Sequence, residues 1–316
     1  MLAVRFHDYG GLDAVRYEEA PVPDLTAGNV LVRVKAAGVN PFDCYAVEGY
    51  VNGYVSFTLP AVLGRDVSGI VEGVGTGADE FAIGDAVYGQ TDPRLHGTFA
   101  DFTLIEPHRL ARKPEHLSHV EAASLPNVLL AAWSGVFSEE NGAAVRTGDA
   151  VLIHGAAGGI GTIAAQLARW RGARVFGSAS KHNLEFLLDS GLERVFDYSL
   201  EDWQAEAGTV NSVLNTAAGD AAEALCSIVE SPGRYVAFRG LPEPAFVAKQ
   251  AARGIRCVSA SGPASLVDFP RMAHMVAQGL IKPVISAAYP IAKFRDALEQ
   301  VRNGHVRGKV VLSVAD

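Results

Sequence analysis

The sequence predicts an α/β protein in which a doubly wound parallel sheet is inserted into a β-rich domain. Three observations carry that expectation. The chain has 316 residues, more than the roughly 250–300 at which a single hydrophobic core stops growing. Up to about residue 110, short β-type runs are broken by Gly and Pro, whereas from about residue 120 strands and helices alternate. The tail then returns to strand, helix and strand after a parallel sheet would already be complete.

In chain order, the β-rich part shows runs at 30–35, 67–74 and 99–104. The alternating part predicts strands at 150–154, 173–177, 195–197, 210–215, 233–238 and 255–259. Helices are expected at 159–170, 181–190 and near 220–228. Short apolar runs fenced by helices are what a parallel sheet covered on both faces requires. The tail reads as strand 284–289, helix 291–300 and strand 309–314. Assigning that tail to the first domain gives boundaries of 1–120 with 262–316 for the β-rich domain and 121–261 for the inserted one.

Composition narrows the function classes. With 49% hydrophobic and 20% charged residues the chain is globular rather than disordered. Lys plus Arg number 27 against 35 Asp plus Glu, a net charge of −8, and no basic run exists to track phosphates, so nucleic acid is not an expected partner. Cys44, Cys226 and Cys257 are far apart and odd in number, which argues against a disulfide framework and suits a reducing compartment. No stretch has the apolar length of a signal peptide or membrane span, and the chain reads as cytoplasmic, without a membrane partner.

The most informative segment is Val151-Leu152-Ile153-His154-Gly155-Ala156-Ala157-Gly158-Gly159-Ile160-Gly161, an apolar strand running into a glycine cluster and then a helix. A dinucleotide pyrophosphate needs backbone N–H groups at a helix N-terminus; Gly158 lets the backbone approach it and Gly161 lets helix and strand pack closely. Ala156 takes the first glycine slot of G-x-G-x-x-G, so the fingerprint is partly met. A ligand-free turn is the alternative, and the βαβ context favours cofactor binding by a Rossmann unit. About 20 residues on, where an NAD site carries an acid for the ribose hydroxyls, the second strand ends Gly177-Ser178-Ala179-Ser180-Lys181. Hydroxyls and an ammonium suit a 2′-phosphate, hence NADPH. Ser180 also reads as a helix cap with Lys181 in the solvated first turn, and the two readings coexist.

Together with Ala36-Ala37-Gly38-Val39-Asn40-Pro41-Phe42-Asp43, Gly64-Arg65-Asp66-Val67-Ser68-Gly69-Ile70-Val71, Phe81-Ala82-Ile83-Gly84-Asp85-Ala86-Val87-Tyr88-Gly89 and Arg307-Gly308-Lys309-Val310-Val311-Leu312, this loop gives the chain its likeness to a known family. Over nearly its whole length it resembles the zinc-independent quinone oxidoreductase and enone reductase branch, zeta-crystallin-like, of the medium-chain dehydrogenase/reductase superfamily. The resemblance implies a GroES-like β domain formed by both chain ends, an inserted Rossmann domain, NADPH in a cleft between them, and a homodimer acting on a small molecule. Zinc-dependent relatives place a cysteine at Asn40 and a histidine-glutamate pair at Arg65-Asp66, and their four-cysteine lobe would fall near 92–108, where no cysteine stands. No metal is therefore expected.

Carried over residue by residue, the resemblance puts Ala157, Gly158, Gly159 and Ile160 at the pyrophosphate and Ser178, Lys181 and Tyr198 at the adenosine phosphate. Asn215, Thr216 and Ala217 with Phe238, Arg239 and Gly240 would border the ribose and nicotinamide. Asn40, Asp43, Tyr45 and Tyr50 would face the substrate, with Tyr54 an alternative to Tyr50 because the loop beyond Gly49 is longer than usual. The expected activity is NADPH-dependent hydride transfer to a quinone or an α,β-unsaturated carbonyl. An NADPH-binding protein with a structural or sensing role, and a pathway-specific tailoring enoyl reductase, are the rivals. Tyr289-Pro290-Ile291-Ala292-Lys293 matches Tyr-x-x-x-Lys, but Pro290 at a strand end keeps the pair off one helix face.

Overall fold

The computed structural model describes residues 1–53, 55–92, 94–219, 221–260 and 266–315. The chain divides into two compact units, one of Met1–Asn127, Leu266–Gly279 and Pro283–Asp316, the other of Val128–Ser265 with Leu280–Lys282.

The second unit holds six parallel strands. Across the sheet they run Arg194–Asp197, Arg174–Ala179, Ala150–His154, Val210–Asn215, Val229–Ala237 and Ile255–Ser259. In order of appearance that is 3-2-1-4-5-6, the Rossmann arrangement. Val151, Leu152, Ile153, Val213, Leu214 and Val236 are buried, as strands covered on both faces require. The strand expected at 233–238 begins earlier, at Val229, which pairs with Val210; the exposed Glu230-Ser231-Pro232 segment has no apolar period and bulges out of register before pairing resumes at Arg234. The helix expected at 181–190 opens as a 3₁₀ turn, Lys181–Asn183, before Leu184–Asp189. Helix Pro244–Ala252, with proline in its first turn, packs beside the edge strand and was not anticipated.

In the first unit the ten-residue strand Val30–Val39 is central. It pairs antiparallel with Asp66–Val74, Phe102–Ile105 and Lys309–Ser313, the last of which runs parallel to Ile285–Pro290. Two strands from the C-terminal segment thus extend the sheet of the N-terminal part. Ala86–Gln90 and Leu110–Arg112 extend the other side, and Leu2–Phe6 forms a small sheet with Val15–Glu19 and Ala61–Val62. Helix Phe294–Asn303 buries Phe294, Ala297 and Leu298 into a core shared with Phe6, Val67, Phe99 and Val310, the i, i+3, i+4 stripe of an amphipathic helix. Among the described residues no helix is long and apolar enough to cross a membrane.

Candidate active site

In the first unit, Asn40 ends the central strand and opens helix Pro41–Glu48. Pro41 fits the first helical position, where no N–H is needed, and the Asp43 side chain accepts the Asn40 N–H at 2.8 Å. Both side chains are buried, 1% and 0% exposed. Asn40 Nδ2 donates to Asp66 Oδ2 (2.9 Å), while its Oδ1 accepts from Lys309 Nζ (2.6 Å) and Asn127 Nδ2 (3.0 Å). Asp66 Oδ1 accepts from Gln90 Nε2 (3.1 Å) and the Asn127 backbone (3.0 Å). Lys309 also donates to the Val39 carbonyl (2.6 Å) and lies 3.7 Å from Asp66 Oδ2. Asn40 is thus the centre of a closed polar cluster, and its polar atoms are spent on the protein.

Burial pushes the Lys309 ammonium down, against the pull of Asp66 and Asp43. Burial also pushes Asp43 up to about 7, opposed by the Asn40 N–H and Lys309. A carboxyl whose folded pKa exceeds its unfolded value of about 3.9 favours the folded state most below that value, and the benefit is lost as pH rises toward about 7. Asp43→Asn retains an acceptor for the Asn40 N–H and removes the titration. Its stability relative to the wild type is therefore expected to improve steadily from pH 4 to pH 7 in urea titrations. A pH-independent difference between the two proteins would refute the assignment.

Tyr45 and Tyr50 behave differently from Asn40 and Asp43. They are 37% and 71% exposed, with ring centroids 6.3 Å apart, so their phenols are accessible. Tyr54 lies outside the described residues.

In the second unit, helix Gly159–Trp170 starts at Gly158 with no side-chain cap, leaving first-turn N–H groups for a ligand. Gly155 has φ 79°, and a Cβ there would stand 2.8 Å from Thr216 Oγ1. A Cβ on Gly161 would lie 2.4 Å from the Gly155 carbonyl. The tight loop depends on both. Ala157 is buried and Gly158, Gly159 and Ile160 are half-buried.

Ser178 is fully buried. Its hydroxyl lies 2.7 Å from His154 Nδ1, and its carbonyl accepts the Gly155 and Ala156 N–H groups, each at 3.0 Å. Its carbonyl thereby fastens the glycine loop to the second strand. Lys181 is exposed in the turn that follows. His154, pushed down to about 4 by burial, is stacked on Trp203 with Tyr198 edge-on. At the ends of the next strands, Asn215 Nδ2 donates to Tyr235 (2.9 Å), and Thr216 Oγ1 donates to the His154 carbonyl (2.8 Å). Ala217 donates its N–H to Asn215 Oδ1 (3.2 Å). Phe238 occupies space that a side chain at Gly135 would fill, while Arg239 and Gly240 are exposed.

His154, Gln90, Asn127 and Lys309 were not anticipated as site residues. The usable signal for Lys309 was its place in an otherwise apolar strand.

A dehydrogenase zinc needs thiolate, imidazole or uncommitted carboxylate donors. Asn40 and Arg65 offer an amide and a cation, both Asp66 oxygens are engaged, and an ammonium already stands beside them. These residues do not fit zinc. Among the described residues no three His, Cys, Asp or Glu side chains gather as a metal-ligand set.

With this geometry in view, the likeness to known proteins can be stated. The alcohol dehydrogenase GroES-like domain family matches residues 26–115 and the zinc-binding dehydrogenase family matches residues 190–312. The 2-methylene-furan-3-one reductase of Solanum lycopersicum is 30% identical over 99% of this chain and 79% of the relative. Quinone oxidoreductase of Homo sapiens is 27% identical over 99% of this chain and 97% of the relative. Among solved structures, the quinone oxidoreductase from Coxiella burnetii superposes with a TM-score of 0.89 at 28% identity, covering 100% of this chain and 99% of that one. An alcohol dehydrogenase superfamily protein from Novosphingobium aromaticivorans gives 0.88 at 31% identity, covering 100% of both. The chain belongs to the medium-chain dehydrogenase/reductase superfamily, is homologous to its quinone and enone oxidoreductases, and combines a GroES-like sheet with a Rossmann sheet.

Proposed function

We propose that the protein is an NADPH-dependent reductase of quinones or α,β-unsaturated carbonyls that works without a metal. The observation that carries this reading is the closed Asn40–Asp66–Lys309 cluster, which leaves no donor for a Lewis acid to polarise an isolated carbonyl. A conjugated substrate needs less polarisation, since charge arriving at the far carbon is delocalised onto oxygen. The relatives named for furanone and quinone reduction are in keeping with it.

Bound NADPH supplies the hydride. The N–H groups of Gly158, Gly159 and Ile160, beside the buried Ala157, would receive the pyrophosphate, and the exposed Lys181 would receive the 2′-phosphate. Asp197, whose carboxylate is held low chiefly by Ser199 hydrogen bonds, also feels Lys181, so the lysine's charge is shared between this carboxylate and any 2′-phosphate. Asn215, Thr216, Ala217, Phe238, Arg239 and Gly240, at the ends of the neighbouring strands, would border the ribose and nicotinamide. Tyr45 and Tyr50, exposed in and just beyond helix Pro41–Glu48, would supply hydroxyls to hydrogen-bond an enolate and return a proton to it.

The test is steady-state reduction of an enone and a quinone by wild type and Lys181→Ala, with either nicotinamide cofactor and after exhaustive chelation. Wild type should favour NADPH, Lys181→Ala should weaken NADPH by about tenfold to a hundredfold while sparing NADH, and chelation should leave the rate intact. Equal use of both cofactors by wild type, or a rate lost on chelation and restored by zinc, overturns the reading.

A further inference from the structure

Arg65 sits at the edge of the buried cluster, within the field of Asp66, Asp43 and Asp92 but with no carboxylate in ion-pair range among the described residues. Its guanidinium lies over the Phe42 ring, 4.6 Å from the centroid, and Nη2 donates to Gln90 Oε1 at 3.2 Å. Nε is sealed from solvent with no acceptor, and among the described residues no carboxylate pairs with this side chain. The acidic groups around it are committed elsewhere. Asp66 is engaged by Asn40, Gln90, Asn127 and Lys309, while Asp92 pairs with Arg94 (2.5 Å) and Arg109 (3.5 Å). Asp43 holds the Asn40 N–H. Arginine forks are normally matched by carboxylate or phosphate when taken out of water, because a half-desolvated cation without a partner is costly. Burial indeed works against the charge here. Nη1, with no acceptor among the described residues, is the nitrogen left to meet one.

We propose that Arg65 is a specificity-determining anion receptor, and that the substrate is a conjugated carbonyl compound carrying a carboxylate. Phe42 holds the guanidinium plane, and Gln90 fixes its rotation while being itself fixed by Asp66 and Asn127. The receptor is therefore ordered before the ligand arrives, which lowers the cost of binding. This inference rests on the reductase reading for the reaction but not for the anion site.

The experiment compares β-acetylacrylate with its methyl ester, which share the enone and differ in the charge. Wild type should show a KM about tenfold to a hundredfold lower for the acid, as expected for a charge-assisted contact. Arg65→Gln should abolish that acid-to-ester preference through KM, and Arg65→Lys should restore part of it. Without cofactor, the acid should raise the melting temperature of wild type and not of Arg65→Gln. A wild type indifferent to the charge, or an Arg65→Gln variant that keeps the preference, overturns the proposal. If neither compound is reduced while the acid still stabilises wild type and not Arg65→Gln, the anion receptor stands and the reductase reading falls.

Discussion

Lys309→Met is expected to lower the unfolding free energy of the β-rich unit by about 3–5 kcal/mol, the range found when one partner of a buried ion pair is removed. The lysine is 6% exposed, its ammonium donates to Val39 and Asn40 at 2.6 Å each, and it stands 3.7 Å from the fully buried Asp66. Methionine fills a similar volume, so the loss comes from electrostatics rather than a cavity. Two acceptors and a carboxylate would be left without their cation. Urea denaturation of the single variant, of Asp66→Asn and of the double variant separates the terms. The double variant should recover a substantial part of the loss, because the stranded charge is then gone. A single-variant loss below about 1 kcal/mol, the worth of a solvent-exposed pair, would mean that the cluster is not held by this cation.

Gly161→Ala is expected to weaken dinucleotide binding by about a hundredfold, the upper range for one lost charge-assisted contact, and to destabilise the Rossmann unit by about 1–3 kcal/mol. The added methyl would meet the Gly155 carbonyl at 2.4 Å and the Ala156 backbone at 2.7 and 2.8 Å, so main chain must shift. That shift drags the loop whose N–H groups are proposed to receive the phosphate. Gly158→Ala is the informative comparison, since its methyl meets only the Gly155 carbonyl, at 3.3 Å. It should leave the melting temperature close to wild type while still obstructing the pyrophosphate approach. Cofactor titrations and melting curves of the two variants should therefore diverge. Identical profiles would show that helix-to-strand packing at Gly161 is not what shapes the loop.

The parallel sheet was legible because its strands are short apolar runs with turns on either side. Strands Ala150–His154, Val210–Asn215 and Ile255–Ser259 and helix Gly159–Trp170 fall where periodicity placed them. The segment around Pro232 was shortened because polar, exposed residues carry no burial signal even where they belong to a strand. The candidate site was less legible. Asn40-Pro41-Phe42-Asp43 contains a cap, a first-turn proline and an acid at the third position, a local helix-start pattern, yet likeness to relatives directed attention to the substrate. Spacing likewise gives no sign that the Ser178 hydroxyl stands 2.7 Å from His154 Nδ1. Such pairings come from strand register, here Ser178 opposite His154, which sequence spacing alone does not supply. Lys309 defied expectation for another reason: lysine is among the side chains least often buried.

The partners of Lys309 also set an order of assembly. The residues of Val128–Ser265 are continuous, and all six of their strands emerge together during synthesis. The β-rich unit must wait, since its central strand gains the Lys309–Ser313 neighbour, and Asn40 its cation, across a sequence separation of 269 residues. Until then Asp66 faces an unfinished interior and the Ala36–Val39 stretch of one edge has no hydrogen-bonding neighbour, while Val30–Arg33 is already paired with Phe102–Ile105. Long-range closure of this kind is slow and leaves an aggregation-prone edge exposed. On the ribosome, the nascent chain therefore carries a foldable Rossmann unit ahead of an incomplete β-sheet, and the Lys309–Ser313 strand acts as the clasp that ends this vulnerable interval.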